Sequence, residues 1–552
     1  MCNLQILNSF PRFRSQNKIK SLIWRPENNA DFAIHKYPPM IVLFRKFTLN
    51  QFNVFALILG VAVYIVVFVL RFYDNPQESD VGCFMAIGKA LNADAVLYKT
   101  VFDNKAPGIF FLHQFFQFLT GNSVHYPLVL QAFFAGIFVV SSALVLFQIN
   151  KKISFAPILA LFLTALFYVQ SRWGIFYYGG FTEEIGSYLL LTAVNLLFLS
   201  QNSGPTFQKC MAFAAGLLAT YALGIKEPFA LMFLALAVYV LVYHSKPAKW
   251  YYLAGCVLVF LCWGGYLFMH GAVADYSNYI KQAFFYAQSP SDALSARITQ
   301  RTEPVLYEYS AWLDHGRWRW FIVTFILFLG SIVFSGKSTH PPVKKEAQFL
   351  HFLFLILLSS IPFYWFGPKN HTHYFIPLLF CTIYFGAAIV ARFLSMIRSE
   401  FRLIQVLFSL FILSETNFLY REIKHYSPPT FAKASEEKAK LTTELNLKGN
   451  TCFVDDYSAG RLYAYLNVTS NLKYQCAYPV FFEFNAPNSL AEERCKEFVS
   501  DFKKHPPKYI LGKEKLSMAF DYDELKNWVN LRYRVVDTVE LNGMGYCLRE
   551  LY

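Results

Sequence analysis

The stretch Arg71-Phe-Tyr-Asp-Asn-Pro-Gln-Glu78-Ser79-Asp80 follows directly on the first long apolar run of the chain. The same connection continues to Val101-Phe-Asp103-Asn104-Lys105-Ala106-Pro107-Gly108. This reading puts a carboxylate pair, Glu78 and Asp80, just outside a bilayer, with a lysine a short helix away. Such an arrangement suits chemistry on a lipid phosphate at the membrane surface. A solute carrier more often buries its charges midway along a helix.

The rest of the chain agrees with a membrane setting. Its 552 residues are 55% hydrophobic and 19% aromatic, too apolar for an ordinary soluble protein. Apolar windows reach the ~20 residues that a helix needs to cross the hydrocarbon core. Expected spans cover 50–71, 124–149, 153–171, 184–200, 208–224, 228–244, 250–269, 318–335, 348–366, 374–391 and 402–420. With charges scarce inside them, backbone groups must be satisfied within helices.

The net charge of +14 would suggest nucleic acid in a soluble chain. Here it gathers in short connections between apolar runs, so no nucleic-acid partner is expected. Arg12, Arg14, Lys18, Lys20, Arg45 and Lys46 precede the first span. Lys151, Lys152, Lys209, Lys246, Lys249, Lys337, Lys344, Lys345, Arg392, Arg398 and Arg402 fall on the same side. By the positive-inside rule that side is cytoplasmic. The loops 72–107, 172–184 and 270–316 and everything after about 421 then lie outside. The expected location is the inner (plasma) membrane, multi-pass, with the N-terminus cytoplasmic and the tail extracytoplasmic.

Three regions follow from this pattern. Residues 1–45 form a basic cytoplasmic arm, polar and disordered by composition, without the apolar run of a signal peptide. Met40 is an alternative start. Residues 46–420 form the transmembrane domain and 421–552 an external domain. Ten cysteines are present. Those at 210, 256, 262 and 381 are apolar fillers of spans. Cys452, Cys476, Cys495 and Cys547 lie in the tail, where an oxidising compartment allows up to two disulfides with the pairing open. No cysteine or histidine spacing is that of a zinc site, and dependence on a divalent cation stays open.

In the first loop, the residues after Asp80 run as a short helix to a turn at 92–94, followed by an extended piece from Val96 to Asp103. The segment 106–120 is too short to span. His113, Gln114 and Gln117 share one face, with phenylalanines around the rest, so a helix lying in the interface is expected. A carboxylate at Asp80 can accept a proton from an attacking hydroxyl or amine. Lys105 can place an ammonium at headgroup level to balance a phosphate.

The second loop, Arg172-Trp-Gly-Ile-Phe-Tyr-Tyr-Gly-Gly-Phe-Thr-Glu183-Glu184, ends in two carboxylates at a helix start. They either complement the helix N-terminus or bind a metal or the acceptor beside Asp80. In Gly224-Ile-Lys226-Glu227-Pro228, Lys226 either snorkels and pairs with Glu227 or helps to hold phosphate. His371 and His373 are candidates for a headgroup or phosphate contact. Tyr276, Tyr279, Tyr286, Arg297 and Arg301 suggest a flexible lid.

At Glu78-Ser79-Asp80, Phe102-Asp103-Asn104-Lys105-Ala106-Pro107-Gly108, Glu183-Glu184 and His373-Tyr374-Phe375, the chain resembles the GT-C superfamily of integral-membrane glycosyltransferases. The bacterial branch of protein O-mannosyltransferases and lipid A aminoarabinose transferases is the nearest in pattern. Relatives often carry two prolines after the lysine, where this chain has Ala106-Pro107.

The resemblance covers roughly 45–420. It implies an all-α polytopic GT-C-like domain of about 11 transmembrane helices plus interfacial helices, followed here by a small external α/β domain. It further implies an acceptor-activating Asp80, a phosphate-binding Lys105 and second-loop acids at Glu183 or Glu184. A polyprenyl-phosphate sugar would be the donor, with inversion at the sugar carbon, and the acceptor a lipid, a glycan or a protein.

The tail from about 445 reads as an α/β unit. Strands are expected at 451–456 and 508–512, an amphipathic helix at 489–504, and a hairpin around Asn542-Gly543. Asp455 and Asp456 suit a turn. Two other functions compete with sugar transfer. A transporter or flippase of lipid-linked saccharides would need matched interrupted helices, which are not evident. A polysaccharide polymerase or ligase would favour arginine-rich external loops.

Overall fold

A computed structural model describes residues 58–62, 64–65, 79–103, 105–121, 126–149, 159, 162–163, 166, 182–287, 341–365, 372–396, 447, 451–455, 462–463, 466, 468, 470–475, 489–513, 523–541 and 544–552. The helices are α1 (Ser79–Asn92), α2 (Pro107–Leu119), α3 (Tyr126–Ile149), α4 (Thr182–Ser200), α5 (Pro205–Leu223), α6 (Ala230–Tyr243), α7 (Lys246–Met269), α8 (Val273–Ala287), α9 (Pro341–Trp365), α10 (Ile376–Met396), α11 (Ser489–Lys504) and α12 (Asp523–Arg532). The strands are β1 (Cys452–Asp455), β2 (Tyr509–Lys513), β3 (Tyr533–Leu541) and β4 (Met544–Leu551).

Among the described residues four helices are long and apolar enough to cross a membrane: Tyr126–Ile149, Thr182–Ser200, Lys246–Met269 and Lys345–Phe363 within α9. Glu227–Tyr243 and Ile376–Arg392 are shorter apolar helices. Pro205–Leu223, at the expected span 208–224, is of spanning length but less apolar. The expected spans 318–335 and 402–420 lie outside the described residues, as does most of 50–71 and 153–171.

Small residues set the packing of α5 on α7. A Cβ at Gly216 would sit 2.1 Å from the carbonyl oxygen of Tyr252, and one at Gly255 would sit 2.2 Å from that of Phe213. Only glycine lets these two backbones approach so closely, as in membrane helix pairs generally. The bundle interior is not wholly apolar. Asn195 donates to Ser141 Oγ at 2.9 Å and to Ser142 Oγ at 3.0 Å, and Tyr384 donates to Asn195 Oδ1. A buried amide satisfied on both its ends pins α3, α4 and α10 in one register. A second polar tie is the buried ion pair between Arg392 and Glu346, joining the ends of α9 and α10 that sequence places at the cytoplasmic side.

Helix α2 turns the polar face read in the sequence toward protein. His113 and Gln117 are buried against α1, where Gln117 donates to the carbonyl of Met85 at 3.4 Å. His113 Nδ1 lies 2.7 Å from the Tyr126 hydroxyl. The exposed side of α2 is apolar: Phe115, Phe118 and Leu119 are more than half exposed. Its polar stripe therefore faces protein, and its apolar stripe faces outward, where a bilayer would cover it.

The tail folds into a mixed four-stranded sheet of order β1-β2-β4-β3, with β1 parallel to β2 and the other pairs antiparallel. Helix α11 makes the crossover between the parallel strands, as such a connection requires. The sequence does not anticipate α12. Asp455 closes β1 and is buried, so it is a strand end rather than a turn residue; Asp456 lies outside the described residues. Cys452 and Cys547 carry free thiols and are buried, so two disulfides within the tail do not form. Cys83 on α1 is disulfide-bonded.

Candidate active site

Four connecting segments converge around Lys105 and Lys226. The first is the loop between α1 and α2. Expected to be extended from Val96 to Asp103, it instead folds into a tight turn in which Tyr98 adopts φ +67°. A bulky residue rarely takes this left-handed conformation, and it persists where the surroundings over-determine it. They do so here. The Tyr98 ring stacks on Tyr279 at 4.8 Å and packs on Tyr276 at 5.4 Å, both from α8, and its hydroxyl donates to the Lys105 carbonyl at 2.8 Å. The Tyr266 hydroxyl of α7 accepts from the Leu97 amide at 3.0 Å. Asp103 accepts from the Lys105 amide at 3.1 Å. Two of the expected lid residues, Tyr276 and Tyr279, are thus packed supports of the first loop. The Tyr286 side chain, Arg297 and Arg301 lie outside the described residues.

These contacts fix where the Lys105 side chain begins. Its ammonium stands 3.7 Å from Asp80 Oδ2, with the two side chains 25% and 36% exposed. Asp80 lies in the first turn of α1. The separation exceeds that of a charge-assisted hydrogen bond, so the contact is a loose Coulombic one, and both groups keep a face toward solvent.

The second segment is the start of α4. Glu183 and Glu184 are both buried, so neither is a solvated helix-end charge. Glu184 accepts from the Tyr188 hydroxyl at 2.9 Å. Glu183 accepts from Thr182 Oγ1 at 2.9 Å and forms an ion pair with Lys226. The third segment is the turn from Gly224 to Phe229. Here the sequence alternative that pairs Lys226 with Glu227 does not hold. Lys226 goes to Glu183, while Glu227 accepts from the Tyr279 hydroxyl. The fourth segment is the short helical turn Thr372–Phe375 before α10. It lays the Tyr374 ring under Lys226, whose Nζ is 4.2 Å from the ring centroid, a cation–π distance.

Lys226 has its pKa lowered, first by burial, against the raising effect of Glu183; Lys105 lowers it further and Asp80 raises it. The Tyr374 hydroxyl lies in the field of Lys105, Glu183, Asp80 and Glu227. Two ammonium groups and two carboxylates thus share one partly buried place. Asp80, Lys105, Glu183 and Lys226 come together there; Glu78 and His371 lie outside the described residues, as does the His373 side chain. The sequence gives Tyr98 no role beyond an extended segment, Tyr279 one in a lid, and Tyr374 only a place in the resemblance, yet all three take part here. Their signal was only an abundance of tyrosine in external loops. Among the described residues no group of three or more histidine, cysteine, aspartate and glutamate side chains is placed to hold a metal ion.

The tail reaches this loop directly. The Phe102 amide donates to the Lys473 carbonyl at 2.8 Å, and the rings of Phe102 and Tyr474 lie 5.4 Å apart. Tyr474 donates to Glu497 of α11 at 2.6 Å, and the Lys473 amide donates to Asp501 at 2.8 Å. On the other side of the loop, Ala86 of α1 packs into the tail core among Cys452, Val454, Leu462 and Leu511.

The fold is shared with solved crystal structures. The crystal structure of ArnT from Cupriavidus metallidurans bound to undecaprenyl phosphate superposes with a TM-score of 0.53 at 14% identity, covering 89% of this chain and 97% of that one. The same protein in the apo state gives 0.52 at 13% identity with the same coverage. No protein-family model and no curated protein sequence matches the chain.

Proposed function

We propose that this protein is a glycosyltransferase that moves a sugar from a polyprenyl-phosphate donor to a lipid, glycan or protein acceptor on the extracytoplasmic face, with inversion. The observation that carries the reading is the convergence of Lys105 and Lys226 beside Asp80, at the end of a bundle whose fold is shared with a protein that holds undecaprenyl phosphate.

The chemistry follows from the charges. The acceptor O–H or N–H approaches Asp80, and its lone pair attacks the anomeric carbon from the face opposite the phosphate. The carbon–oxygen bond to phosphate breaks and its electron pair leaves with the polyprenyl phosphate. The acceptor proton passes to the Asp80 carboxylate. The charge developing on the phosphate is balanced by Lys105 and Lys226, in surroundings of lower dielectric than water. Glu183 positions Lys226 rather than touching the acceptor. Tyr374 provides a flat, electron-rich floor that keeps the Lys226 ammonium charged despite burial.

The test is reconstitution. Purified protein is incubated with synthetic short-chain polyprenyl phosphates carrying a panel of pentoses, aminopentoses and hexoses, together with lipid, glycan and protein fractions of the envelope. Release of polyprenyl phosphate with a product of inverted anomeric configuration is expected. Movement of labelled donor across a vesicle bilayer with no product formed would overturn the reading in favour of a flippase.

A further inference from the structure

We infer that Glu227, with Tyr276 beside it, forms the subsite that holds the donor's sugar, its carboxylate accepting hydrogen bonds from ring hydroxyl groups. This deepens the proposed sugar transfer and rests on it: Lys105 and Lys226 balance the phosphate and Asp80 meets the acceptor, which leaves the sugar itself unheld. Glu227 opens the short helical turn Glu227–Phe229, directly after Lys226. Its side chain is exposed and reaches α8, where one carboxylate oxygen accepts from the Tyr279 hydroxyl.

Tyr279 is buried, and its ring stacks on Tyr98 at 4.8 Å and on Tyr276 at 5.5 Å. The carboxylate is thus anchored through Oε1 to a packed group. Its Oε2 has no hydrogen-bond partner among the described residues, and neither has the hydroxyl of half-buried Tyr276. Burial first, and then the Glu227 charge, raise the phenol pKa of Tyr276 and Tyr279. Tyr374, whose ring centroid is 4.2 Å from Lys226 Nζ, lies in the field of the same carboxylate. An open acceptor and an open phenol thus stand together in the neighbourhood of the phosphate-binding ammonium.

A negative charge close to two phosphate-binding ammonium groups opposes their task. Glu183 and Asp80 have counter-ions there in Lys226 and Lys105, whereas Glu227 is held by a neutral phenol. It has one oxygen left, and what such an oxygen binds is a hydrogen-bond donor. Hydroxyl groups flanking an anomeric phosphate are donors of the right kind. A bond to an ionised acceptor is about twice as strong as a neutral one, and a site built around a substrate hydroxyl rejects analogues that lack it. Tyr276 supplies an apolar ring with a polar tip, matching the C–H and O–H surfaces of a sugar. A sugar bearing its own carboxylate is repelled. The substrate class is a sugar with free ring hydroxyls and no acidic group.

The experiment measures binding of synthetic short-chain polyprenyl phosphate to the full-length protein in detergent, with the lipid bare or carrying glucose, xylose or glucuronic acid. The parent should bind its best neutral sugar lipid at least about tenfold tighter than the bare lipid, and the glucuronosyl lipid more weakly than the glucosyl one. Glu227→Gln should lose roughly tenfold toward the neutral sugar lipid and narrow the gap between glucuronosyl and glucosyl forms. Its hold on the bare lipid should not weaken, since a charge that repels phosphate has gone. An equal loss toward bare and sugar-bearing lipid would overturn the inference, leaving Glu227 only to hold Tyr279.

Deoxygenated donors supply the second arm. Among the 2-, 3- and 4-deoxy forms of the best neutral sugar lipid, at least one should bind parent and Glu227→Gln alike, because the hydroxyl that meets the carboxylate is already missing. A variant that costs the same against every deoxy form would refute the contact. The two readings fail separately. A protein that binds neither bare nor sugar-bearing polyprenyl phosphate removes the transferase and the subsite with it. Tight binding of the bare lipid, with no effect of Glu227→Gln that depends on the sugar, removes the subsite alone.

Discussion

The amide of Gly108 donates to the carbonyl of Gly224 at 2.8 Å, and a Cβ on Gly108 would sit 2.6 Å from that oxygen. This single contact joins the two turns that carry Lys105 and Lys226. The Tyr221 hydroxyl donates to the Gly108 carbonyl at 2.9 Å and seals the same junction. The two turns that carry the lysines are therefore held backbone against backbone.

Gly108→Ala should force these turns apart. A methyl group inside van der Waals contact of a carbonyl costs on the order of 1–3 kcal/mol in a packed site. Thermal unfolding in detergent should show a lower midpoint, and donor KM should rise. An alanine variant with both unchanged would show that the junction yields without consequence.

Asp80→Asn removes the proton acceptor while keeping the size of the side chain. Loss of a general base costs typically 10²–10⁴-fold in rate. We expect kcat to fall by roughly that factor, with expression and membrane insertion unaltered. Turnover at the parent rate with a defined donor would remove Asp80 from the reaction.

Lys226 and Glu183 should respond asymmetrically. Lys226→Ala strands a carboxylate that is 1% exposed, and breaking a buried pair in this way costs about 3–5 kcal/mol. The double change Lys226→Met with Glu183→Gln removes both charges and should recover most of the thermal stability while leaving transfer impaired. Equal melting behaviour of the single and double variants would argue against the pairing.

The pH profile carries a sign that follows from burial. Lys226 must be protonated to balance phosphate, and its charge is present below its pKa and lost above it. Because burial lowers that pKa from the ordinary lysine value, activity should decline on an alkaline limb lying below the normal lysine range. Lys226→Arg should move the limb upward, since guanidinium stays charged. The groups facing Lys226 are Glu183, Lys105, Asp80 and Tyr374, of which the first opposes the shift most strongly. A limb unmoved by arginine would assign it to another group.

Much of the fold was legible because membranes constrain sequences strongly. Apolar length marked α3, α4, α7 and α9, and the period-two pattern with Asn542-Gly543 marked the final hairpin. The pairing of Asp80 with Lys105 could be read from a carboxylate just outside the first span with a lysine a short helix away. What escaped notice depended on distant partners. Nothing local to Lys226 distinguishes Glu227, its neighbour in sequence, from Glu183, its partner in space. Tyr98 looked like part of an extended segment because its left-handed conformation is imposed by Tyr276 and Tyr279 of α8. That His113 and Gln117 share a face was legible; that this face meets α1 was not, because an amphipathic stripe does not say which of its two sides meets protein.

Helix α2 runs without a break from Pro107, two residues beyond Lys105, to Leu119, and Phe115 and Phe118 project from its outer side. Lys105 precedes the N-cap Ala106 of the helix that carries these aromatic floats, so its backbone is tied to the position of that helix. Whatever depth the surrounding acyl chains grant those rings also sets the height at which Lys105 meets the headgroup layer. Thickness mismatch costs only fractions of a kcal/mol per ångström, yet here it acts directly on the placement of a reacting charge. Turnover in vesicles of graded acyl length should accordingly pass through an optimum.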